Sequence, residues 1–285
     1  MAFFRKALAS IGIGNAKVDT IIESTEILPG GTLVGKVTME GGKVEQQVNS
    51  IYLELLTDTL FYETREVVTR DYEDYDGDGD VDHVHEHTDH EERESIRSLR
   101  VLKVDVAENF VLKPGEQKEI PFEIPIPIHM PASFLRSQSR LATGLDISMA
   151  VDPRDTDAVE VQPCSRVSVL LEAMSSLGMS LSDCVTEHCE DIDPHEFLQM
   201  FEFHPGGGPF YGRVDNIEIR PVPEEHTVRL YIETDKKGRG VSGWFSELMN
   251  TDQVERAVDV SNETFQAGPQ AVAQVIRETV EAVLN

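Results

Sequence analysis

The chain has 285 residues, of which 40% are hydrophobic, and a formal net charge of −27 at pH 7. This length and apolar content can build two ordinary domains with their own cores and exclude a disordered chain. The negative charge repels phosphate backbones and anionic lipid head groups, so general nucleic-acid binding is excluded unless a local basic patch provides it.

Acidity is spread along the whole chain, and lysine is scarce, with nine lysines against sixteen arginines. Such a surface fits a halophilic protein, because it stays hydrated in high salt, or an ordinary acidic cytosolic protein. No apolar run approaches the roughly 20 residues that span a bilayer. Residues 1–14 are too short and too weakly apolar for a signal peptide, so we expect a cytoplasmic protein.

The first predicted element is a two-turn helix, with Phe3, Phe4 and Leu8 near one face and Arg5 and Lys6 beside them. A helix of this length is not stable alone and must dock on another surface. Its own domain is the first candidate for that surface. A membrane surface is the alternative, which would make the protein peripheral to the membrane.

The chain then changes to short alternating segments that are separated by turns. The predicted strands lie within residues 16–24, 32–42, 44–58, 95–106, 110–128 and 141–153. Apolar residues alternating with polar ones, with Pro-Gly and Gly-Gly turns between segments, are typical of an all-β sandwich. Pro121, Pro125 and Pro127 would interrupt an interior ladder, so their strand should lie at an edge or carry a bulge. We predict an N-terminal sandwich over residues 1–163.

A helix is predicted next, within residues 165–178, because apolar residues recur there at three and four positions and Gly178 provides a C-terminal stop. Further strands are predicted within residues 196–206 and 212–235. These elements predict a second, smaller sandwich over residues 164–250.

Residues 251–285 are predicted to form a C-terminal tail with an amphipathic helix. Its apolar face consists of Val272, Val275, Ile276, Val280, Val283 and Leu284. Such a face docks on its own domain or meets a partner. The predicted fold class is therefore all-β, with two immunoglobulin-like β-sandwich domains, short connecting helices and a C-terminal helix.

Several segments, in their order along the chain, resemble one family. They are FFRKALASIGIGNAKVDTIIE at 3–23, LPGGTLVGKVTMEGG at 28–42, TGLDISMAVDPRD at 143–155 and DKKGRGVSGWFSELM at 235–249. These segments are similar to the bacterial and archaeal sporulation-control family, SpoOM, of the arrestin-like clan. The resemblance extends from residue 2 to about residue 250, apart from the acidic insert described next. It implies two sandwiches joined like the halves of an arrestin, no catalytic site, and a regulatory or scaffolding role.

Residues 71–94 are an acidic, His-rich insert that contains twelve Asp and Glu residues and four histidines against one arginine. Such a segment is either solvated or held together by cations. Five aspartates match positions 1, 3, 5, 7 and 9 of an EF-hand-type calcium loop: Asp74, Asp76, Asp78, Asp80 and Asp82. Gly79 falls at the bend, whereas position 12, which is a bidentate acid in that pattern, is His85.

A row of histidines follows the aspartates. In an extended chain, His83, His85 and His87 point the same way, about 7 Å apart, which suits zinc, nickel or copper with Asp89 or His90 as a fourth ligand. The alternative is a solvated hairpin tip without any metal. The sequence establishes no cofactor, and it makes calcium the first candidate and zinc the second.

A basic spot precedes two aromatic residues near the end of the predicted second sandwich. Lys236, Lys237 and Arg239 lie in a Gly-rich loop just before Trp244 and Phe245. This arrangement fits a contact with a partner protein or with anionic lipid head groups. The alternative is a hairpin loop that leads into a short helix, with the aromatic residues packed in the second domain.

Two functional hypotheses follow from the sequence and the resemblance. The first is a non-enzymatic regulatory scaffold that binds other proteins of unknown identity, near the membrane or as a homodimer. The second is a binding protein that responds to divalent cations through residues 74–90. We do not predict an enzyme, because an exposed acidic loop lacks the apolar pocket that separates the pKa values of two carboxylates. Gly206–Gly208 is not followed by the Lys-Ser/Thr of a phosphate loop.

Overall fold

The structure, a computed structural model, describes residues 16–24, 26–73, 83–148, 152–189, 196–235 and 257–284. The strands are β1 (Lys17–Ile22), β2 (Thr32–Glu40), β3 (Gln46–Glu73), β4 (His83–Leu112), β5 (Gln117–Pro125), β6 (Ser139–Ile147), β7 (Arg154–Val159), β8 (Met179–His188), β9 (Phe197–Pro205), β10 (Asn216–Pro223), β11 (Thr227–Asp235) and β12 (Ala257–Ser261). The helices are α1 (Ser165–Ser176), α2 (Asn262–Ala267) and α3 (Pro269–Leu284). Within the described residues, no helix is long and apolar enough to cross a membrane.

The first half of the chain is a β-sandwich. The three-stranded sheet β1-β2-β5 packs on a second sheet that contains β4, β3, β6 and β7. Leu33 and Val37 alternate with more exposed residues along β2, and they share one core with Leu53 and Leu141 of the facing sheet. β5 lies at the edge of its sheet, which confirms the position that the prolines in this strand predict.

The second half of the chain is an antiparallel sheet with helices on one face. Its strands follow the order β12-β11-β10-β9-β8, and its core residues pack with α1 and α3. Phe201 of β9 and Ile219 of β10 are fully buried there, together with Ile276 of α3. The sequence predicts a second sandwich at this place, but in the described residues the helices take the position of a second sheet. The tail helix α3 therefore docks on its own domain.

One long strand, β3, joins both halves in a nine-stranded sheet. Its first part belongs to the sandwich, and Thr59 and Leu60 then pair in parallel with Thr186 and Glu187 of β8. Leu60 also packs on one apolar residue of β8 and one of β9. This short pairing is the joint between the two halves.

Beyond the joint, β3 continues as a two-stranded ribbon with β4. Wherever the structure describes β3 after residue 60, its only partner strand is β4, and the pairing runs outward to Glu73 and His83. Residues 71–73 and 83–94 of the acidic insert therefore belong to strands. Residues 74–82 lie outside the described residues.

Candidate functional site

An apolar groove, which we call the joint groove, lies where the two halves meet. Pro29 and residues 128–132 line it from the first half, and α1, β9 and β10 line it from the second. The groove is shallow: it encloses about 70 Å³, and the volume reaches about 700 Å³ only when the open space at its mouth is included. Ile128 lines this groove with 75% of its surface exposed. A lone exposed apolar residue is ordinary, but one beside an apolar groove indicates an interaction surface.

Backbone hydrogen bonds hold the loops of the first half in place. The Gly30 N–H donates to the Ile126 carbonyl at 3.0 Å, and the Ile126 N–H donates to the Gly31 carbonyl at 2.9 Å. The Met130 N–H donates to the Pro127 carbonyl at 3.0 Å and closes a turn around Ile128. Proline has no N–H for a ladder, so β5 ends and the chain turns here.

The charge of the joint groove differs from that of the chain. Asp and Glu make up 52 of 285 residues, yet none is among the described residues that line the groove. Arg166, in the first turn of α1, is the only Arg or Lys among them. Within the described residues, Arg166 has no ion-pair partner. As far as the described residues go, the groove is therefore an apolar surface with one positive charge that no carboxylate pairs.

A second depression adjoins the joint groove between α1 and α2. Arg166 and Phe265 line both, and Asn262 lines the second. The Asn262 side-chain nitrogen donates to the Glu225 carbonyl at 3.1 Å, whereas its buried Oδ1 has no hydrogen-bond partner among the described residues. The two depressions are therefore connected through Arg166 and Phe265.

None of the three cysteines, Cys164, Cys184 and Cys189, forms a disulfide. Burial is the main cause that raises the pKa of the Cys184 thiol to about 12, and the nearby Asp183 carboxylate is the second. The thiol is therefore protonated and unreactive at neutral pH. Cys189 is also buried, and Cys164 is half-buried in the lining of the joint groove.

A buried ion-pair cluster lies on the opposite face of the second sheet. Arg220 of β10 donates to Glu187 of β8 through Nε to Oε2 at 2.6 Å and through Nη2 to Oε1 at 3.1 Å. Its Nη2 also donates to Glu218 Oε2 at 2.9 Å, and Glu233 Oε2 lies 3.7 Å from its Nη1. The side chains of Arg220 and Glu187 are only 5% and 1% exposed. Charges this deeply buried are held only when they are paired and hydrogen-bonded.

Tyr62 connects this cluster to the ribbon. Its hydroxyl donates to Glu187 Oε1 at 3.2 Å, next to the β3–β8 pairing. Burial and the Glu187 charge raise the pKa of Tyr62, so it stays a donor. Burial likewise raises the pKa of Glu218, against the opposing effect of Arg220. The cluster is a structural connection across the joint.

The predicted metal and partner sites fall mostly outside the described residues. Those outside are Asp74, Asp76, Asp78, Asp80 and Asp82 of the calcium loop and Lys236, Lys237, Arg239, Trp244 and Phe245 of the basic loop. His83, His85 and His87 lie in β4, and the His87 side chain is exposed. In the described part of the chain, no group of three or more His, Cys, Asp or Glu side chains could hold a metal ion. Both sites stay predictions.

Comparison with known proteins shows the family. The model of the family described as SpoOM protein matches residues 4–75 and 81–238. The chain belongs to the SpoOM family. This match confirms the resemblance to the family. It also shortens the segment that departs from the family, because the unmatched residues between the two stretches are 76–80 rather than 71–94. They contain three of the five aspartates of the predicted calcium loop.

A sequence comparison and a structure comparison both agree with the assignment to SpoOM. The sporulation-control protein spo0M of Bacillus subtilis (strain 168) is 31% identical over 251 residues, which are 88% of this chain and 87% of that protein. The crystal structure of Spo0M from Bacillus subtilis is 26% identical, with a TM-score of 0.74 over 95% of this chain and 99% of that chain. The all-β fold class is thus confirmed, and the family supports a regulatory role for this SpoOM chain.

Sequence reasoning missed the residues that make the SpoOM joint distinctive. Residues 124–135 contain no Asp, Glu, Lys or Arg, which is unusual in so acidic a chain and was a signal for an apolar surface around Ile128. Arg220 gave no such signal. It occupies a polar position of an alternating strand, and that pattern predicts a solvent-exposed side chain.

Proposed function

We propose that this SpoOM chain is a non-enzymatic regulatory scaffold that acts by binding other proteins at the joint groove. The observation that carries the proposal is the apolar lining of this groove, with Ile128 exposed beside it, in a chain with a formal net charge of −27. Apolar surface of this kind is unfavourable when it is exposed to water, and a partner that covers it removes that exposure. The sporulation-control role of the Bacillus relative supports regulation as the outcome of that binding.

Cross-linking in the native cells tests the scaffold proposal. A photoreactive benzoylphenylalanine in place of Ile128 is expected to form covalent adducts with a small set of proteins, because this position lies in the contact that we propose. Mass spectrometry of the adducts would identify them.

Tyr211 provides the matched control for that experiment. It is 67% exposed and does not line the joint groove, so the same photoreactive residue at position 211 should capture little. Equal yields and identical adducts from positions 128 and 211 would remove the groove as the contact and, with it, the observation on which the proposal rests.

A response to divalent cations is the second candidate function. The β3–β4 ribbon supports it, because Glu73 and His83 are paired and hold together the ends of the loop that carries the five aspartates. A loop whose ends are already fixed loses less conformational entropy when carboxylates converge on a cation. Binding at the ribbon tip would then change what the first half contacts.

Calorimetric titration with calcium and with zinc tests the cation proposal. Asp76, Asp78 and Asp80 changed together to Asn should abolish calcium heat and leave any zinc heat intact. The complementary variant changes His83, His85 and His87 together to Gln. It should abolish any zinc heat and leave the calcium heat intact, because imidazole suits zinc and carboxylate suits calcium. If the unaltered chain gives no heat and no shift in Tm with either metal, the tip is simply solvated.

A further inference from the structure

We infer that the joint groove takes a short segment of a partner protein that has apolar side chains and a carboxylate next to Arg166. This inference rests on the proposed scaffold function and specifies the chemistry of its partner. It is carried by the apolar lining and by the charge of that lining.

The apolar lining comes from both halves of the chain. Pro29 and Ile128 belong to the first half, and Phe197, Pro221 and Phe265 belong to the second. The enclosed part of the groove, about 70 Å³, is too small for a helix or a domain surface and fits short apolar side chains only. An occupant that fills the groove therefore contacts both sides of the joint with a short stretch of chain.

The charge of the lining selects an acidic occupant. Most arginines that the structure describes have carboxylate partners, for example Arg136 with Asp183, Arg140 with Asp58 and Arg229 with Asp259. Arg166 has none within the described residues, and no Asp or Glu is among the described lining of the groove. A carboxylate beside the guanidinium would form the bidentate pair for which arginine is suited. A basic occupant would meet an unpaired like charge.

Selection from a phage-displayed library of random peptides on the full-length chain tests this chemistry. We expect enriched peptides to contain apolar residues next to Asp or Glu. The best of them, synthesised with a fluorophore, should bind about tenfold or more weakly to Ile128→Asp and to Arg166→Glu than to the unaltered chain in fluorescence anisotropy. Changing the acidic residue of the peptide to Lys should restore binding to Arg166→Glu.

Two variants match these substitutions outside the groove. Tyr211→Asp introduces a charge at another exposed apolar side chain, and Arg213→Glu reverses another exposed arginine without an ion-pair partner among the described residues. Both should bind the peptide like the unaltered chain, and all four variants should keep its Tm within a few degrees.

The outcomes separate this inference from the proposed function. Enrichment of basic or purely apolar peptides, or equal affinity of Arg166→Glu and the unaltered chain, would overturn the acidic partner, while adducts at position 128 in cells would leave the scaffold role standing. Failure to select any peptide together with no specific adduct at position 128 would overturn both. An acidic consensus whose binding depends on Arg166 supports both.

Discussion

Replacing Arg220 with Met is expected to lower the free energy of unfolding by about 3–5 kcal/mol, because it removes the counter-ion of a buried carboxylate. Glu187 is 1% exposed and accepts two hydrogen bonds from Arg220, and Glu218 accepts a third. The remaining donor to Glu187 in this cluster, the Tyr62 hydroxyl, carries no charge. Urea unfolding followed by circular dichroism would measure the loss.

A second substitution separates the destabilisation caused by an unpaired charge from the net contribution of the Arg220–Glu187 ion pair to the free energy of unfolding. In the double variant Arg220→Met with Glu187→Leu, position 187 no longer carries an unpaired buried charge, so the share of the loss that Glu187 causes should return, whereas Glu218 still lacks its hydrogen bond from Arg220. Arg229→Met is the control on the neighbouring strand, since Arg229 and Asp259 are 38% and 47% exposed and such surface pairs contribute at most about 1 kcal/mol. An Arg220→Met chain as stable as Arg229→Met would contradict the role we assign to the cluster.

Gly208→Ala is expected to destabilise the chain by roughly 2–4 kcal/mol through backbone strain and overlap. Gly208 has φ +71°, which L-residues with a side chain rarely adopt, and a Cβ at this position would lie 2.2 Å from the carbonyl oxygen of Leu177. That carbonyl belongs to the end of α1, where Gly178, also at positive φ, accepts hydrogen bonds from Gly206 and Gly207. Two backbone segments would have to separate to make room.

The adjacent glycine is the control for this prediction. A Cβ on Gly207 would meet nothing within 4 Å, and its N–H bond to the Gly178 carbonyl does not depend on the side chain. Gly207→Ala should therefore change the free energy of unfolding by less than about 0.5 kcal/mol. Thermal and urea unfolding of both variants would show the contrast, and equal midpoints would refute the close approach of α1 to the loop before β10.

Much of the fold could be predicted from the sequence where a local rule was sufficient. Alternation in β2 predicted its buried face, Gly178 predicted the end of α1, and Pro121 predicted an edge strand. Each of these signals depends on the conformation of a few neighbouring residues. These signals can therefore be recognised without knowing which residues pack against them from the other side of the core.

The joint and its site could not be predicted, because they depend on contacts between distant segments. A parallel pairing of two residues, Thr59 and Leu60 with β8, leaves no periodic trace in either strand. The burial of Glu187 results from packing around the joint, and no strand is predicted from the sequence at β8, where Glu187 lies. The groove required Pro29, Ile128 and Arg166, which are far apart in the chain, to meet.

The sharing of β3 between the two halves limits their modularity. A cut near residue 163 would leave Thr59 and Leu60 without their β8 partners and would uncover the apolar contact of Leu60. Exchange of the second half between relatives would then require matching changes inside a strand of the first half. Recombination among such proteins should therefore keep the two halves together as one inherited unit, although each half has a core of its own.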